Sequence, residues 1–342
     1  MSVNIQKQPE NFTEQLFFFS ALLFAICLLS FAAIFIRLSE QEISASATIF
    51  NRLWIATIFL IFWDRITSFI SRSPSEFSAE NKHKIRDYLG TLLLSAIVDL
   101  ICILLWAFSL NQTSIGNSTL LHNLTPIFAT LGGWLWLKQS FNNQFIVGVI
   151  LATFGAGAIA FSDLQFGSQY LIGDSLALLS AIFYGFSYLI YEKLRVTFST
   201  KTLLLITCFL RSLLMLPFVL LSDAPLFPSS WLGWLAVLGL GILCQSCANL
   251  ILIHSLKQFS SGFISLFLLL DPIITAILAW IIFAEQLTFL NWIAFGFVLL
   301  GIYWAKSGQG AEKESDNFQN RDDAQQERYL NIILPDPIEK NL

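Results

Sequence analysis

Among the charged side chains within the long apolar runs of this 342-residue sequence, two acids and two arginines are the candidates for chemistry. Asp271 is near the middle of FISLFLLLDPIITAILAWIIF, Asp99 is in SAIVDLICILLW, and the two arginines are Arg52 and Arg211. A charged group at the centre of a bilayer costs about 2.5–3.5 kcal/mol on insertion scales, so it usually faces a cavity or a partner. Asp271 is therefore predicted to exchange a proton or to pair with a cationic group, either on a substrate or on an arginine.

Each of these charges also has a structural explanation. A proline leaves one backbone carbonyl without its helical partner, and an acid beside Pro272 could donate a hydrogen bond locally. A second mid-run proline, Pro126, follows Thr125 instead, so the kink itself does not require an acid. An ion pair between one arginine and Asp99 or Asp271 would explain both charges without a ligand.

The other polar and aromatic residues of the apolar runs have the same two interpretations. His122 and Asn123 lie one turn before Pro126, where a kinked backbone can line a cavity, and Asn249 either lines a cavity or joins two helices. Trp106, Phe108, Tyr184 and Tyr188 would either stack on a substrate or pack within the protein and against lipid. The candidate cavity and coupling residues are Asp271, Asp99, Arg211, Arg52, His122, Asn123 and Asn249, and Pro126 and Pro272 are predicted helix kinks.

The composition is typical of a membrane protein. Hydrophobic residues form 56% of the chain and charged residues 12%. A bilayer core about 30 Å thick needs roughly 20 apolar residues per helix. Apolar runs cover residues 15–36, 47–66, 87–108, 115–137, 143–161, 170–191, 201–221, 230–253, 262–284 and 288–305. The predicted fold class is an all-α polytopic membrane protein with ten transmembrane helices.

Several other classes of protein lack support in the sequence. Nucleic-acid binding would need a basic patch, and none is present in a chain with a formal net charge of −4. Cys244 and Cys247 form a C-x-x-C pair, but a zinc site needs further ligands and a redox site needs a thioredoxin-like context. We therefore expect no metal and no cofactor. No ATP-binding motif occurs, so gradients must supply the energy for any transport.

The sequence repeats itself at an offset of 146 residues, which places 109–134 over 255–280. Identical residues in the two stretches include the mid-run prolines. At the same offset Asp99 falls on Gln245, and Arg52 matches Arg211 once a longer loop is allowed. Because each copy holds five helices, the second copy is inverted in the membrane. Inverted repeats recur in secondary transporters with a binding site near the midplane.

The predicted organisation is an N-terminal segment (1–14), a first repeat (15–161), a second repeat (170–305) and a disordered polar tail (306–342). Lys and Arg concentrate in the loops on the side of both termini, so the positive-inside rule places the termini in the cytoplasm. A cell inner or plasma membrane is the expected location. The expected partners are the lipid bilayer and a small-molecule substrate, with a monomer and a homodimer both open.

The chain resembles the EamA family of the drug/metabolite transporter superfamily over about residues 15–305. The resemblance rests on 114–116 and 260–262 at the start of each fourth helix, the two prolines, FAEQLTFLNW with Glu285, and glycines 148, 155 and 301. Gln139 and Ala294 depart from the family pattern, in which Glu and Gly are usual. The resemblance implies a ten-helix carrier whose central cavity is lined mainly by the first four helices of each half.

The expected function is secondary transport of small metabolites by alternating access, either of amino acids or of amphiphilic amines and drugs. Efflux, the commonest role in the family, is our first expectation, and uptake or exchange is the alternative. A passive channel would favour a ring of like polar groups. An intramembrane enzyme would need a motif such as G-x-G-D, G-x-S-x-G or H-E-x-x-H, and none of these occurs. We therefore expect no enzymatic activity.

Overall fold

The chain folds into helices that follow the apolar runs. A computed structural model describes residues 12–71, 84–159, 167–221, 225–283, 289–308 and 310–311, and every secondary-structure segment that it assigns in these ranges is helical. Most of the predicted N-terminal segment, Glu285 and nearly all of the predicted tail lie outside the described residues.

The helices of the first half are α1 (Phe12–Ser30), α2 (Ala32–Ser39), α3 (Ala45–Ser71), α4 (Leu89–Leu110), α5 (Ile115–His122), α6 (Thr125–Trp136) and α7 (Asn143–Ile159). The helices of the second half are α8 (Leu171–Leu194), α9 (Thr200–Leu220), α10 (Trp231–Gly239), α11 (Asn249–Ser255), α12 (Ser261–Phe267), α13 (Leu270–Phe283) and α14 (Phe289–Lys306). A π-helix, Leu240–Ala248, joins α10 to α11.

Eight stretches of the described chain are long and apolar enough to cross a bilayer. They are Phe18–Ser39, Ala45–Ile70, Leu89–Leu110, Leu171–Leu194, Thr200–Leu220, Trp231–Ser255, Ser261–Leu278 and Phe289–Lys306. The all-helical membrane fold is confirmed at this level. The predicted fourth run is divided between α5 and α6, and α7 has 17 residues. The arrangement as ten spans in two repeats stays a prediction.

The two predicted kinks are complete helix breaks. The α5–α6 break lies at Asn123 and Leu124, and the α12–α13 break lies at Leu268 and Leu269. A proline has no N–H to donate to the preceding turn, so the chain closes tighter turns before it. The N–H of Asp271, for example, donates to the carbonyl O of Leu268 at 2.9 Å. Residues of both breaks, Asn123 in the first and Leu268 and Leu269 in the second, line a cavity inside the helical bundle.

Small residues bring α7 and α14 into close backbone contact. A Cβ added at Gly148 would lie 2.5 Å from the carbonyl O of Gly301, and one added at Gly155 would lie 2.9 Å from that of Ala294. Such contacts are typical of helix pairs that pack through small residues in membranes. Gly155 thus belongs to a close helix contact. Around this pair, α4 packs on α8, α3 packs on α9, and α1 packs on the π-helix.

Candidate functional site

A cavity of about 320 Å³ lies within the bundle, between residues of both halves. Its volume is at the lower end of the range of small-molecule sites, about 300–1,000 Å³. All seven candidate residues line it: Arg52, Asp99, His122, Asn123, Arg211, Asn249 and Asp271. Pro272 lines it as well, whereas Pro126 is buried in α6 outside the lining. The structure therefore brings the polar residues of the apolar runs to one place.

Arg211 and Asp99 form a buried ion pair on the cavity wall. Arg211 Nη1 lies 3.4 Å from Asp99 Oδ2, and the side chains are 6% and 7% exposed. The hydroxyl of Tyr191 also donates to Asp99 Oδ2. Arg211 Nε donates to the carbonyl O of Thr207 at 3.3 Å. This is one of the Arg–Asp pairings that the sequence left open, and each charge has further hydrogen-bond partners.

Arg52 has a neutral partner in the corresponding position of the other half. Its Nε donates to Gln245 Oε1 at 2.8 Å, and Gln245 Nε2 lies 3.5 Å from Cys208 Sγ. Among the described residues, no carboxylate lies within ion-pair distance of the Arg52 guanidinium. The charge of Arg211 is thus compensated by Asp99, whereas no residue that the structure describes compensates the charge of Arg52.

Asp271 lies at the start of α13, where the helix break opens onto the cavity. The hydroxyl of Ser30, the last residue of α1, donates to Asp271 Oδ1 at 2.6 Å. The carbonyl O of Ile26 lies 3.0 Å from the same hydroxyl and is its alternative acceptor. Since a hydroxyl has one hydrogen, Ser30 can donate to a carboxylate at Asp271, or accept from a carboxylic acid there while it donates to Ile26.

Aromatic rings form another part of the cavity wall. The ring of His122 stacks on Tyr184 with centroids 5.3 Å apart, and Trp106 lies 5.7 Å from His122. The hydroxyls of Tyr184 and Tyr188 are 3.3 Å apart. His122 Nδ1 is 2.9 Å from the hydroxyl of Ser180. Of the aromatic candidates, Phe108 is outside the lining and 58% exposed, which fits a lipid-facing position.

Two buried polar groups of cavity-lining residues have no hydrogen-bond partner among the described residues. These groups are the indole N–H of Trp106 and the amide nitrogen of Asn123, and both atoms are buried. Buried donors are normally satisfied, so unpaired ones point to a bound water or ligand. Asn249 is satisfied, because its amide nitrogen donates to the carbonyl O of Cys244 at 3.0 Å.

Sequence reasoning missed Tyr191 and Ser30 as cavity partners. Neither side chain is charged, and both residues lie in runs rich in similar residues. One signal was present for Ser30: the LLS at 28–30 matches the LLS at 178–180, and Ser180 contacts His122 as Ser30 contacts Asp271. The sequence repeat matches the two serines, but only the structure shows that each of them contacts a broken helix.

The described residues contain no group of three His, Cys, Asp or Glu side chains that could hold a metal ion. The five cysteines are all free thiols, including Cys244 and Cys247. Within the described residues, the cavity offers hydrogen bonds, a cation at Arg52 without an ionic partner, and a carboxyl group at Asp271 outside the Arg211–Asp99 pair.

The family that matches the chain is described as the EamA-like transporter family, and its model covers residues 16–161 and again 171–306. The chain belongs to the EamA-like transporter family. The resemblance found in the sequence is thereby confirmed. The protein is accordingly an integral membrane protein of a transporter family, which points away from an enzyme.

Similar proteins agree with the EamA-like assignment. An uncharacterized transporter of Archaeoglobus fulgidus is 26% identical over 301 residues, which cover 84% of this chain and 97% of that protein. An uncharacterized transporter of Bacillus subtilis is 24% identical over 235 residues, or 67% and 71% of the two chains. A solved crystal structure has the same fold, with a TM-score of 0.68 at 15% identity, covering 84% of this chain and 95% of that one.

Proposed function

We propose that this EamA-like protein is a secondary transporter that moves small metabolites, either amino acids or amphiphilic amines and drugs, by alternating access. The observation that carries the proposal is the cavity, in which the candidate polar residues of both halves meet inside an apolar bundle. Efflux is the proposed direction, and the proposed location is the inner or plasma membrane with both termini in the cytoplasm. The sequence has no ATP-binding motif, so the proposed energy source is an ion gradient.

The proposed architecture is two inverted five-helix repeats, residues 15–161 and 170–305, that form ten spans. The double match of the family model supports it. Helix contacts support it as well, because contacts made by helices of the first repeat have counterparts made by helices of the second. The contact of α4 with α8 corresponds to that of the π-helix with α1, and the contact of α6 with α8 corresponds to that of α13 with α1. The α3–π-helix contact likewise corresponds to α9–α4. Two such halves can exchange conformations around a shared cavity.

Side-chain pairs repeat in the same way. The Arg211–Asp99 pair, which joins the second half to the first, corresponds to Arg52–Gln245, which joins the first half to the second. The serines of the matching LLS stretches also both contact helix breaks, Ser30 at Asp271 and Ser180 at His122, although these two partners do not fall on each other at the offset of 146. The two arginine pairs therefore share a geometry and differ in charge.

Asp271 is the proposed coupling residue. Its carboxyl group lies at a helix break, lines the cavity and has a hydroxyl partner that serves either protonation state. A proton or a substrate amine bound at Asp271 would change the contact between α1 and α13. Because this contact joins the two halves, its change would favour one conformation over the other.

The test of the proposed function uses proteoliposomes that contain a pH-sensitive dye. Wild type and Asp271→Asn are given pools of amino acids and of amines, and solute counterflow and proton flux are recorded together. We expect one pool to move with protons in the wild type, and the variant to exchange solute without proton flux. Equal proton flux in both proteins would remove Asp271 from coupling, and no flux of any pool would contradict the transport proposal.

A further inference from the structure

The two arginine sites of the cavity are built alike but differ in charge. In one, Arg211 pairs with Asp99; in the other, Arg52 meets Gln245, which occupies the position of Asp99 in the repeat. An amide oxygen can accept a hydrogen bond from a guanidinium but cannot neutralise its charge. Arginine does not lose its proton in proteins. The cavity therefore holds a permanent positive charge at Arg52 that the described residues leave uncompensated.

From this difference we infer that Arg52 binds a carboxylate group of the transported substrate. The guanidinium uses its Nε for Gln245, and no described residue makes a hydrogen bond to its two terminal nitrogens, which together can bind a carboxylate through two parallel hydrogen bonds. The inference rests on the proposed transport function and narrows its substrate class. It selects a carboxylate-bearing solute over an amine that has no acid group.

The other residues that line the cavity indicate which further groups the substrate carries. Trp106 and Asn123 present buried donors without partners among the described residues, which suit an acceptor-rich ligand rather than a cationic one. The rings of Trp106, His122 and Tyr184 form an aromatic wall that suits an apolar or aromatic body. Asp271 is the acid on the same lining, and it can accept an ammonium group. An aromatic amino acid satisfies all of these features at once.

Binding is tested on the full chain, purified in detergent, with three related probes: phenylalanine, 3-phenylpropionate and phenethylamine. The first two carry a carboxylate and the third does not. We expect phenylalanine and 3-phenylpropionate to raise the unfolding temperature in a saturable way, and phenethylamine to bind at least about tenfold more weakly. A charged hydrogen bond contributes about 1.5–3 kcal/mol, so Arg52→Gln should weaken carboxylate binding by about 10- to 100-fold. Arg37→Gln, an exposed arginine outside the cavity, is the control.

A second pair of variants keeps Arg52 and changes its partner. Gln245→Glu would give Arg52 the same kind of carboxylate partner that Arg211 has, and should abolish the preference for carboxylate probes. Gln245→Met removes the amide without adding a charge and should keep that preference. The inference would be overturned if phenethylamine bound as tightly as phenylalanine, or if no carboxylate bound at all. It would also be overturned if the wild type, Arg52→Gln and Gln245→Glu bound the carboxylate probes equally.

Transport of the same probes separates this inference from the proposed function. If the carboxylates bind through Arg52 but none crosses the proteoliposome membrane, the transport proposal fails and the binding site stands. If phenethylamine alone is transported, the protein is a transporter and the carboxylate site is wrong.

Discussion

Arg211 and Asp99 show how a charge inside the bundle can be structural. Both side chains are buried, and each is the only ionic partner of the other in the described part of the chain. Removing one member of a buried pair costs about 3–5 kcal/mol, whereas replacing both by apolar residues is often neutral or stabilising. Asp99→Asn should therefore lower the unfolding temperature strongly, and Asp99→Leu combined with Arg211→Met should largely restore it.

Asp271→Asn is the comparison in the same thermal unfolding series. An amide at residue 271 can still accept a hydrogen bond from Ser30, and no described arginine depends on Asp271 for its pairing. We expect a smaller loss of stability than in Asp99→Asn. Equal losses in the two variants would mean that Asp271 is as structural as Asp99.

Glu42 gives a residue-scale prediction outside the membrane-spanning segments. It lies between α2 and α3, where the hydroxyl of Ser230 donates to Oε1, and the backbone N–H groups of Ser230 and Ser229 donate to Oε2 at 2.9 and 2.8 Å. These bonds, the Ser230 hydroxyl first, lower the pKa of Glu42 from its ordinary 4.5 to about 2. A carboxylate with a lowered pKa contributes stability that is complete above its ordinary pKa and is lost as the pH falls through the lowered one.

The difference in unfolding temperature between wild type and Glu42→Gln should therefore stay constant from neutral pH down to about 5 and shrink between pH 4.5 and 2. Glu40→Gln is the control, because Glu40 is a neighbouring acid outside the contact of Glu42 with Ser229 and Ser230. Its difference in unfolding temperature from wild type should not shrink in this way between neutral and acidic pH. A difference that grows as the pH falls would contradict the assignment.

The packing of α7 against α14 gives a prediction at the scale of the element. A Cβ at Gly301 would lie 2.6 Å from the carbonyl O of Gly148, so Gly301→Ala forces two backbones apart. Overpacking of this kind costs about 1–3 kcal/mol. Gly296 is on the same helix, and a Cβ added there would meet nothing within 4 Å, so Gly296→Ala should be neutral or slightly stabilising. Thermal unfolding of the two alanine variants compares them, and similar behaviour would show that the close contact is absent.

Helix breaks mark the limit of prediction from sequence at this scale. The prolines at 126 and 272 indicated kinks, but periodicity cannot show that the helices end and restart. Apolar residues continue from 266 to 270 through the second break, and polar residues such as those at the first break also occur inside helices. The break depends on which neighbouring groups donate hydrogen bonds to the carbonyl oxygens that the proline leaves without a donor. Thr125, for example, donates its hydroxyl to the carbonyl O of His122 at 2.7 Å. The sequence does not indicate which of these hydrogen bonds form, because they depend on the local structure around the break.

For the whole molecule, the helical membrane fold and the family can be predicted from the sequence. The length of an apolar run and the spacing of glycines are each visible within one segment of the chain. The sequence also identifies the polar residues of the cavity, since a charged side chain in an apolar run is rare. It cannot choose partners: Asp99 and Asp271 were equal candidates for an arginine, and only the packing of α9 against α4 brings Arg211 to Asp99. Partner choice is therefore a property of the assembled bundle.

The two halves differ in burial, which gives the last prediction. All residues of α12 are buried, whereas the last four residues of α5, from Thr119 to His122, are all partly exposed. Glu192 of α8 helps to hold the buried helix α12 in place, since its Oε2 accepts the N–H of Ser261 at 2.8 Å. If inverted repeats exchange conformations, α12 must open when α5 closes.

Hydrogen exchange of the full chain in lipid measures this exchange of roles. With a saturating transported solute, peptides that cover α5 and α12 should change their protection in opposite directions, because each helix adopts the environment that the other had. Peptides from α7 and α14 are the control and should change little, since their close backbone contact leaves no room for opening. A change of the same sign in α5 and α12 would indicate that the whole cavity tightens around the ligand, and alternating access by exchange of the repeats would be wrong.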